Sequence, residues 1–180
     1  LHLGRQRGLS LDDGRALVFA MAQLPALIRR TLGTDDAVRA IAAAYARAPN
    51  ALYLGRGVSF PVALEGALKL KEISYVHAEG YPAAEMKHGP IALIDEAMPV
   101  FFVAPADEVF GKVRSSMQEV KARGGRIIVV TSEDAPQLGA LPDHELRVPE
   151  SHPLLSPVIT AIPLQLLAYH VAVLRGCDVD

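Results

Sequence analysis

The sequence predicts an α/β protein: a three-layer α/β/α sandwich with a mostly parallel sheet of about five strands, preceded by two helices. Short apolar runs alternate with segments of helical period over most of the 180 residues. The short runs are apolar throughout instead of alternating with polar residues, as expected of parallel strands covered on both faces. Hydrophobic residues make up 51% of the chain and charged residues 21%, which is enough for a substantial core.

The first part of the chain is predicted to be helical. Apolar residues recur at helical spacing over residues 10–31, after the capping oxygen of Ser10, and a second amphipathic helix is expected over residues 34–47. Pro49-Asn50 then breaks the pattern. We therefore divide the chain into a helical connector at residues 1–48 and a sandwich domain at residues 49–180.

The sandwich domain is predicted from the order of its apolar runs. Five runs are expected to be strands: Ala51–Leu54, Val76–Glu79, Val100–Ala104, Arg126–Thr131 and Glu145–Val148. Three helices are expected between and after them: Pro61–Tyr75, in which Pro61 opens the helix, Asp107–Arg123 and Leu154–Leu174. Residues 80–95 are expected to be irregular or to form short helical turns.

Composition argues against several classes of function. The net charge is -2, basic residues are scattered and there is no Trp, so a nucleic-acid surface has little support. Cys177 is the single cysteine, which rules out a disulfide framework and a cysteine zinc site and fits a reducing, cytoplasmic setting. No secretory leader is recognisable.

The stretch from Ser151 to Leu174 contains no Asp, Glu, Lys or Arg and is long enough to span a bilayer. It also contains three prolines, a glutamine and His170, and no basic segment precedes it. A buried helix that packs on the sheet explains this stretch better than a membrane span.

The helix predicted at Pro61–Tyr75 carries a narrow polar stripe. Glu65, Lys69 and Glu72 are spaced by four and three residues, so they lie along one side of a helix that is otherwise largely apolar. Such a stripe suits a cleft that holds a carboxylate near a cation. A solvated Glu–Lys–Glu ladder has the same spacing, so the pattern leaves both interpretations open.

Two histidine motifs follow this helix. His77-Ala-Glu79 has the spacing of a zinc deaminase motif, but the required pair of downstream cysteines is absent, so we expect His77 to be a structural residue at a strand end. His88, in Met86-Lys-His-Gly-Pro90, is expected in a tight loop. Its imidazole could act as a general acid or base, and a structural role is equally open.

A glycine turn precedes the helix. Gly55-Arg-Gly57 is a weak match to a nucleotide-binding turn, because it lacks the third glycine and the acidic residue expected further on. The sequence therefore predicts neither a bound cofactor nor a metal ion.

Residues 55–95 as a whole, GRGVSFPVALEGALKLKEISYVHAEGYPAAEMKHGPIALID, carry a family resemblance. They closely resemble the second SIS (sugar isomerase) domain of the glutamine–fructose-6-phosphate aminotransferase family, the glucosamine-6-phosphate synthases. The resemblance continues through MPVFFVAP, VKARGGRIIVV and PLQLLAYHVAVLRGCDVD and covers nearly the whole chain. The combination ALKLKE, HAE and KHGP is specific within the SIS domains.

The resemblance implies a reaction and roles for the charged residues. In this family fructose 6-phosphate is opened, aminated at C2 with ammonia from glutamine, and isomerised from ketose to aldose. The family's base matches Glu72, Lys69 would stabilise charge beside it, and Glu65 would support the stripe. His88 matches a ring-opening histidine that reaches the site of the neighbouring subunit, which implies a homodimer with composite sites.

The family pattern also includes parts that this sequence does not contain. The family's phosphate cradle is a Ser/Thr-rich loop in a first SIS half, and the loop that we regard as equivalent here, Gly80–Lys87, has no Ser or Thr. The family's Schiff-base lysine lies in a C-terminal tail beyond Asp180, and its glutaminase domain begins with a cysteine. We therefore expect this chain to be a fragment that folds but does not make glucosamine 6-phosphate by itself.

Two alternative functions are compatible with the resemblance to SIS domains. The first is a two-SIS glucosamine-6-phosphate deaminase without a glutaminase, which would use a similar Glu and His. The second is a non-catalytic SIS module that senses a phosphosugar in a regulator. A sensor has no use for an isomerisation base, so the polar stripe and His88 argue against it.

Overall fold

A computed structural model describes residues 1–179, which form six α-helices and a sheet of five strands. The helices are α1 (His2–Gln6), α2 (Leu11–Leu32), α3 (Asp35–Tyr45), α4 (Ser59–Ser74), α5 (Phe110–Ala122) and α6 (Ser156–Arg175). The strands are β1 (Asn50–Gly55), β2 (His77–Pro82), β3 (Pro99–Val103), β4 (Arg126–Ser132) and β5 (His144–Val148). Two short 3₁₀ turns, Met86–His88 and Pro90–Leu93, lie between β2 and β3.

The five strands are all parallel and follow the order β2-β1-β3-β4-β5. In the pairing of β1 with β3, Leu52 faces Val100 and Leu54 faces Phe102. From β1 the chain moves outward in one direction to β2 and then returns to the other side of β1 for β3. The order therefore reverses between β1 and β3, and the crevice at the carboxyl ends of these two strands is where open α/β sheets bind ligands.

Two buried clusters lie on opposite faces of the sheet, because successive strand residues point to opposite sides. On one face, Tyr53 of β1 stacks on Phe101 of β3 with ring centroids 4.5 Å apart, beneath α3, α4 and α6. On the other face, Leu54 and Phe102 pack in one cluster with Met117 of α5. The three-layer sandwich predicted from the sequence is thus confirmed.

Some predicted boundaries were wrong. Helix α4 begins at Ser59, so Pro61 is its third residue and does not open it; Gly57, with φ +58°, makes the preceding turn. Strand β2 continues to Pro82 and includes three residues that we expected to be irregular, because they pair with β1 as far as Gly55. Three helices precede the sheet instead of two, since the short α1 has too few apolar residues to show a period.

Helix α6 is the apolar segment that raised the question of a membrane span. By length and composition alone it is the single helix among residues 1–179 that could cross a bilayer, with a mean hydropathy of 1.7. It packs closely against α4 and α3, and Ile159, Leu164 and Ala168 on its inner side are buried. His170 Nε2 lies 2.6 Å from Asp35 Oδ1 on α3, and this hydrogen bond lowers the pKa of the Asp35 carboxyl.

Candidate active site

Helix α4 places the polar stripe on its outer side because its inner side is packed tightly on the sheet. Ala63, Gly66 and Ala67 are buried, and their small side chains let the helix approach β1 and α6 closely. A Cβ atom on Gly66 would lie 2.7 Å from a Leu164 methyl carbon and 2.8 Å from the Tyr53 ring. The residues on the opposite side of α4 therefore point away from the sheet.

The centre of the stripe is a short ion pair. Lys69 Nζ donates to Glu72 Oε2 over 2.6 Å, and the two side chains remain 35% and 48% exposed. The hydrogen bond to Glu72 is the main cause of a raised Lys69 pKa, and the charge of Glu65 adds to it. Lys69 thus stays protonated at neutral pH and places a positive charge against the Glu72 carboxyl.

Glu65 extends the stripe by one turn toward the start of α4. Its Oε1 accepts a long hydrogen bond of 3.4 Å from Gln165 Nε2 on α6. The stripe therefore continues onto the second helix of the same layer. Glu65, Lys69 and Glu72 lie together as the spacing predicts.

The stripe lies on an open face and not in a cleft of this chain. Leu64 and Leu68 are each 43% exposed beside it, although both are large and apolar. Two cavities of about 550 and 560 Å³ in the part of the chain that the structure describes are lined by other residues. Of the two interpretations that the spacing left open, a cleft is not formed by residues 1–179 alone, because only another surface laid over α4 would enclose the stripe.

His88 lies in the first 3₁₀ turn, beyond the carboxyl end of β2. Its side chain is 76% exposed, and its Nε2 is 4.0 Å from Glu85 Oε2. Gly89 follows with φ +149°, a backbone conformation that other residues rarely adopt, and it turns the chain sharply. The loop position predicted from the sequence is thus what the structure shows.

His88 and Glu72 are at opposite ends of strand β2. Helix α4 runs antiparallel to the strands, so Glu72 lies near the amino end of β2, whereas His88 follows its carboxyl end. Across residues 1–179, no hydrogen bond or ion pair connects His88 with the stripe on α4. One copy of the chain therefore does not bring the two predicted groups together.

His77 is the first residue of β2, as expected of a structural residue at a strand end. Its side chain is 70% exposed, and its Nε2 is 3.4 Å from Glu79 Oε1. In the described chain there is no group of three or more His, Cys, Asp or Glu residues that could hold a metal ion. Gly55 at the end of β1 is so close to the Ser59 carbonyl that any side chain there would clash, which gives the glycine turn a structural explanation.

Sequence reasoning missed one cavity of the described chain. This carboxyl-edge cleft, of about 550 Å³, lies at the carboxyl ends of β1, β3, β4 and β5, at the point where the strand order reverses. Its charged lining residues are all acidic: Asp107, Glu108, Asp134 and Glu150. Desolvation by burial raises the pKa of the Asp107 carboxyl. The loops after β1 and β3 form the cleft together only because of the strand order, which the sequence does not reveal.

The fold and the sequence together define the class of this protein. The family profile of the SIS domain matches residues 44–175, and the chain therefore belongs to the SIS domain family.

Within that family, two curated relatives of about 50% identity carry the same name. The chain is 51% identical over 178 residues to a glutamine–fructose-6-phosphate aminotransferase (isomerizing) from Chlorobaculum tepidum, covering 99% of this chain and 29% of that protein. It is 50% identical over 178 residues to the protein of the same name from Thermus thermophilus, covering 98% of this chain and 30% of the relative. The chain thus spans about 30% of the length of the curated relatives that it matches.

A solved structure agrees with these sequence matches. The C-terminal domain of glucosamine-fructose-6-phosphate aminotransferase from Francisella tularensis superposes with a TM-score of 0.91 at 39% identity. The match covers 97% of this chain and 49% of that one. The resemblance noted in the sequence is thus confirmed, and the chain corresponds to part of the isomerase region of such proteins.

Proposed function

We propose that the chain is the second SIS half of a glutamine–fructose-6-phosphate aminotransferase and carries the base of its isomerisation step. The observation that carries this proposal is the Lys69–Glu72 pair, 2.6 Å long and half exposed on the outer side of α4. A general base must be accessible, and the Glu72 side chain is 48% exposed. The names of relatives that are 49–51% identical supply the reaction class.

The proposed chemistry uses the Glu72 carboxylate for one proton. After fructose 6-phosphate has been opened, its C2 carbonyl condenses with ammonia and loses water, which leaves an imine at C2. Glu72 then takes a proton from C1 and returns it to C2, while the hydroxyl proton of C1 passes to the nitrogen, so that C1 becomes the aldehyde and C2 bears the amine. The ketose skeleton thereby becomes the aldose glucosamine 6-phosphate. The Lys69 ammonium, which contacts Glu72, stabilises negative charge that develops next to it. Glu65 holds the stripe in register with α6.

We further propose that His88 opens the sugar ring in the site of a neighbouring subunit. Its exposure of 76% and its distance from Glu72 along β2 support a role outside its own chain. A homodimer with composite sites follows from this assignment. The exposed Leu64 and Leu68 beside the stripe fit a face of α4 that a second SIS surface covers.

The sugar phosphate is proposed to be held by the other SIS half. The carboxyl-edge cleft lies where such sheets bind ligands, but no Lys, Arg or His lines it, and its four carboxylates would repel a phosphate. A phosphate cradle in the first SIS half removes this conflict. The division into a connector at residues 1–48 and an SIS domain at residues 49–180 remains a prediction.

The proposal also includes a cytoplasmic location, and glucosamine 6-phosphate as the product. Cys177 is a free thiol, which fits a reducing compartment. A two-SIS deaminase and a phosphosugar sensor remain the alternatives, and no contact in the structure favours either. An assay with fructose 6-phosphate and glutamine separates them, because only the aminotransferase releases both glutamate and glucosamine 6-phosphate.

Glu72→Gln in the full-length enzyme tests the role of the base. The amide keeps the size of the side chain and its contact with Lys69 but cannot take a proton, so formation of glucosamine 6-phosphate should fall by about 10²–10⁴-fold. Glutamine hydrolysis in the same preparation is the internal control and should be unchanged. A normal rate of sugar isomerisation in this variant would refute the assignment.

A further inference from the structure

The loop that carries His88 contacts helix α5. One of these contacts is made by the carboxylate of Glu119, which is partly buried. We define the His88 loop as residues 83–94, between β2 and β3. Lys87, the residue before His88, forms an ion pair of 2.8 Å from its Nζ to Glu119 Oε1 on α5. We infer that Glu119 is a positioning residue for His88 and acts through Lys87. This inference rests on the ring-opening role proposed for His88.

His88 has little of its own to hold it in place. Its side chain is 76% exposed, and its nearest charged partner, Glu85, is 4.0 Å away within the same turn. The residue after it, Gly89, has no side chain to pack. The position of the imidazole is therefore set by the backbone of the turn and by the residues that fix that backbone.

Helix α5 holds the His88 loop along one of its sides. Arg123, which directly follows α5, donates a hydrogen bond of 3.3 Å from its Nη1 to the Ile91 carbonyl. Ser116 Oγ lies 3.5 Å from the Ala83 carbonyl and 3.4 Å from the Lys112 carbonyl of its own helix, and its single proton serves one of them at a time. Glu119 lies between these two residues, at helical spacings of three and four. Ser116 and Arg123 thus contact the loop at Ala83 and Ile91, and Glu119 contacts it between them, next to His88.

The burial of Glu119 is what separates it from an ordinary surface ion pair. Its side chain is only 33% exposed, and its Oε2 is buried without a hydrogen-bond partner, while its Oε1 meets Lys87. A carboxylate with one buried and unpaired oxygen is costly for the fold, and such groups recur where a function requires them. Met86, the residue before Lys87, is fully buried and packs in the cluster that includes Met117 of α5, which also fixes the loop.

The test uses kcat and KM of the full-length enzyme for fructose 6-phosphate. Glu119→Gln keeps the shape of the side chain and removes its charge, and Lys87→Met removes the partner from a position that is 62% exposed. Each should lower kcat by about tenfold with KM little changed, because misplacing an acid–base group costs rate rather than binding. The double variant should be no slower than either single variant, since both remove the same contact.

Two further variants make the outcomes distinct. Glu133→Gln is the control, because it breaks an ion pair of 2.7 Å between Arg30 of α2 and the residue after β4, neither of which belongs to the His88 loop, and it should leave kcat unchanged. His88→Asn should abolish most of the activity. If His88→Asn is inactive but Lys87→Met and Glu119→Gln behave like Glu133→Gln, the positioning role is wrong and the proposed function stands. If His88→Asn retains full activity, both the role of His88 and the inference from it are wrong.

Discussion

Lys69 and Lys71 lie on the same helix two residues apart, and their surroundings differ in a way that bears on function. Lys69 is held by Glu72 at 2.6 Å and has a raised pKa, whereas Lys71 is exposed on α4 and supplies only a backbone carbonyl to the end of the helix. Of these two lysines, only Lys69 places its positive charge in contact with the proposed base. Substituting each lysine in turn therefore compares a charge that contacts Glu72 with the same charge placed elsewhere on the helix.

We expect Lys69→Met to lower kcat by about 10²-fold, because it removes the charge that stabilises the transition state beside Glu72. Lys71→Met removes the same charge from the same helix and should stay within about twofold of the parent. Steady-state rates of glucosamine 6-phosphate formation by the two variants measure the difference. Equal rates for both would mean that Lys69 acts only as a solvated surface residue.

At the level of single residues, the spacing in the sequence predicted the stripe on α4 correctly. Glu65, Lys69 and Glu72 are near neighbours because local helical geometry alone decides their arrangement. The relation of His88 to Glu72 could not be predicted in this way. It depends on the direction and length of β2, which pairs with β1 through non-local contacts.

At the level of the elements, the packing of α4 depends on its small inner residues. Gly66→Ala would place a methyl group 2.7 Å from Leu164 and 2.8 Å from the buried Tyr53 ring, so α4 must shift or its neighbours must move. We expect a loss of unfolding free energy of about 1–3 kcal/mol, as is usual for overpacked cores. Chemical denaturation of the chain measures it.

Gly111→Ala is the matched control for this prediction. Gly111 is also in a helix, but a Cβ atom there meets no atom within 4 Å. The substitution should be neutral or stabilise by up to about 1 kcal/mol, because alanine favours the helix. A Gly66→Ala variant as stable as the Gly111→Ala variant would show that α4 does not pack as closely as described.

The elements themselves were predicted well where the pattern is local. Strands β1, β3 and β4 are continuous apolar runs, and α4, α5 and α6 lie between turn signals, so their existence could be read directly. Boundaries were less accurate where neighbours decide them. Strand β2 was predicted too short because Gly80 and Pro82 disfavour strands, and only the pairing with β1 keeps them in the sheet.

At the scale of the whole molecule, two features of the chain do not fit a complete phosphosugar site. The stripe with Glu72 lies uncovered beside exposed leucines, and the carboxyl-edge cleft is acidic throughout its charged lining. Another SIS half would cover the stripe on α4. It would also supply the phosphate site that the acidic cleft does not provide. Neither feature was visible in the sequence, because both depend on strand order and helix packing.

The most direct test of the central claim is calorimetric titration with fructose 6-phosphate and with glucosamine 6-phosphate. The 180-residue chain is compared with a longer protein that adds the first SIS half and the C-terminal tail. We predict that only the longer protein binds either sugar, because in our proposal this chain contributes the base and the other SIS half supplies the phosphate cradle. Binding by the 180-residue chain alone with a Kd of about 1 μM, near −8 kcal/mol, would contradict that account and place the cradle within these residues.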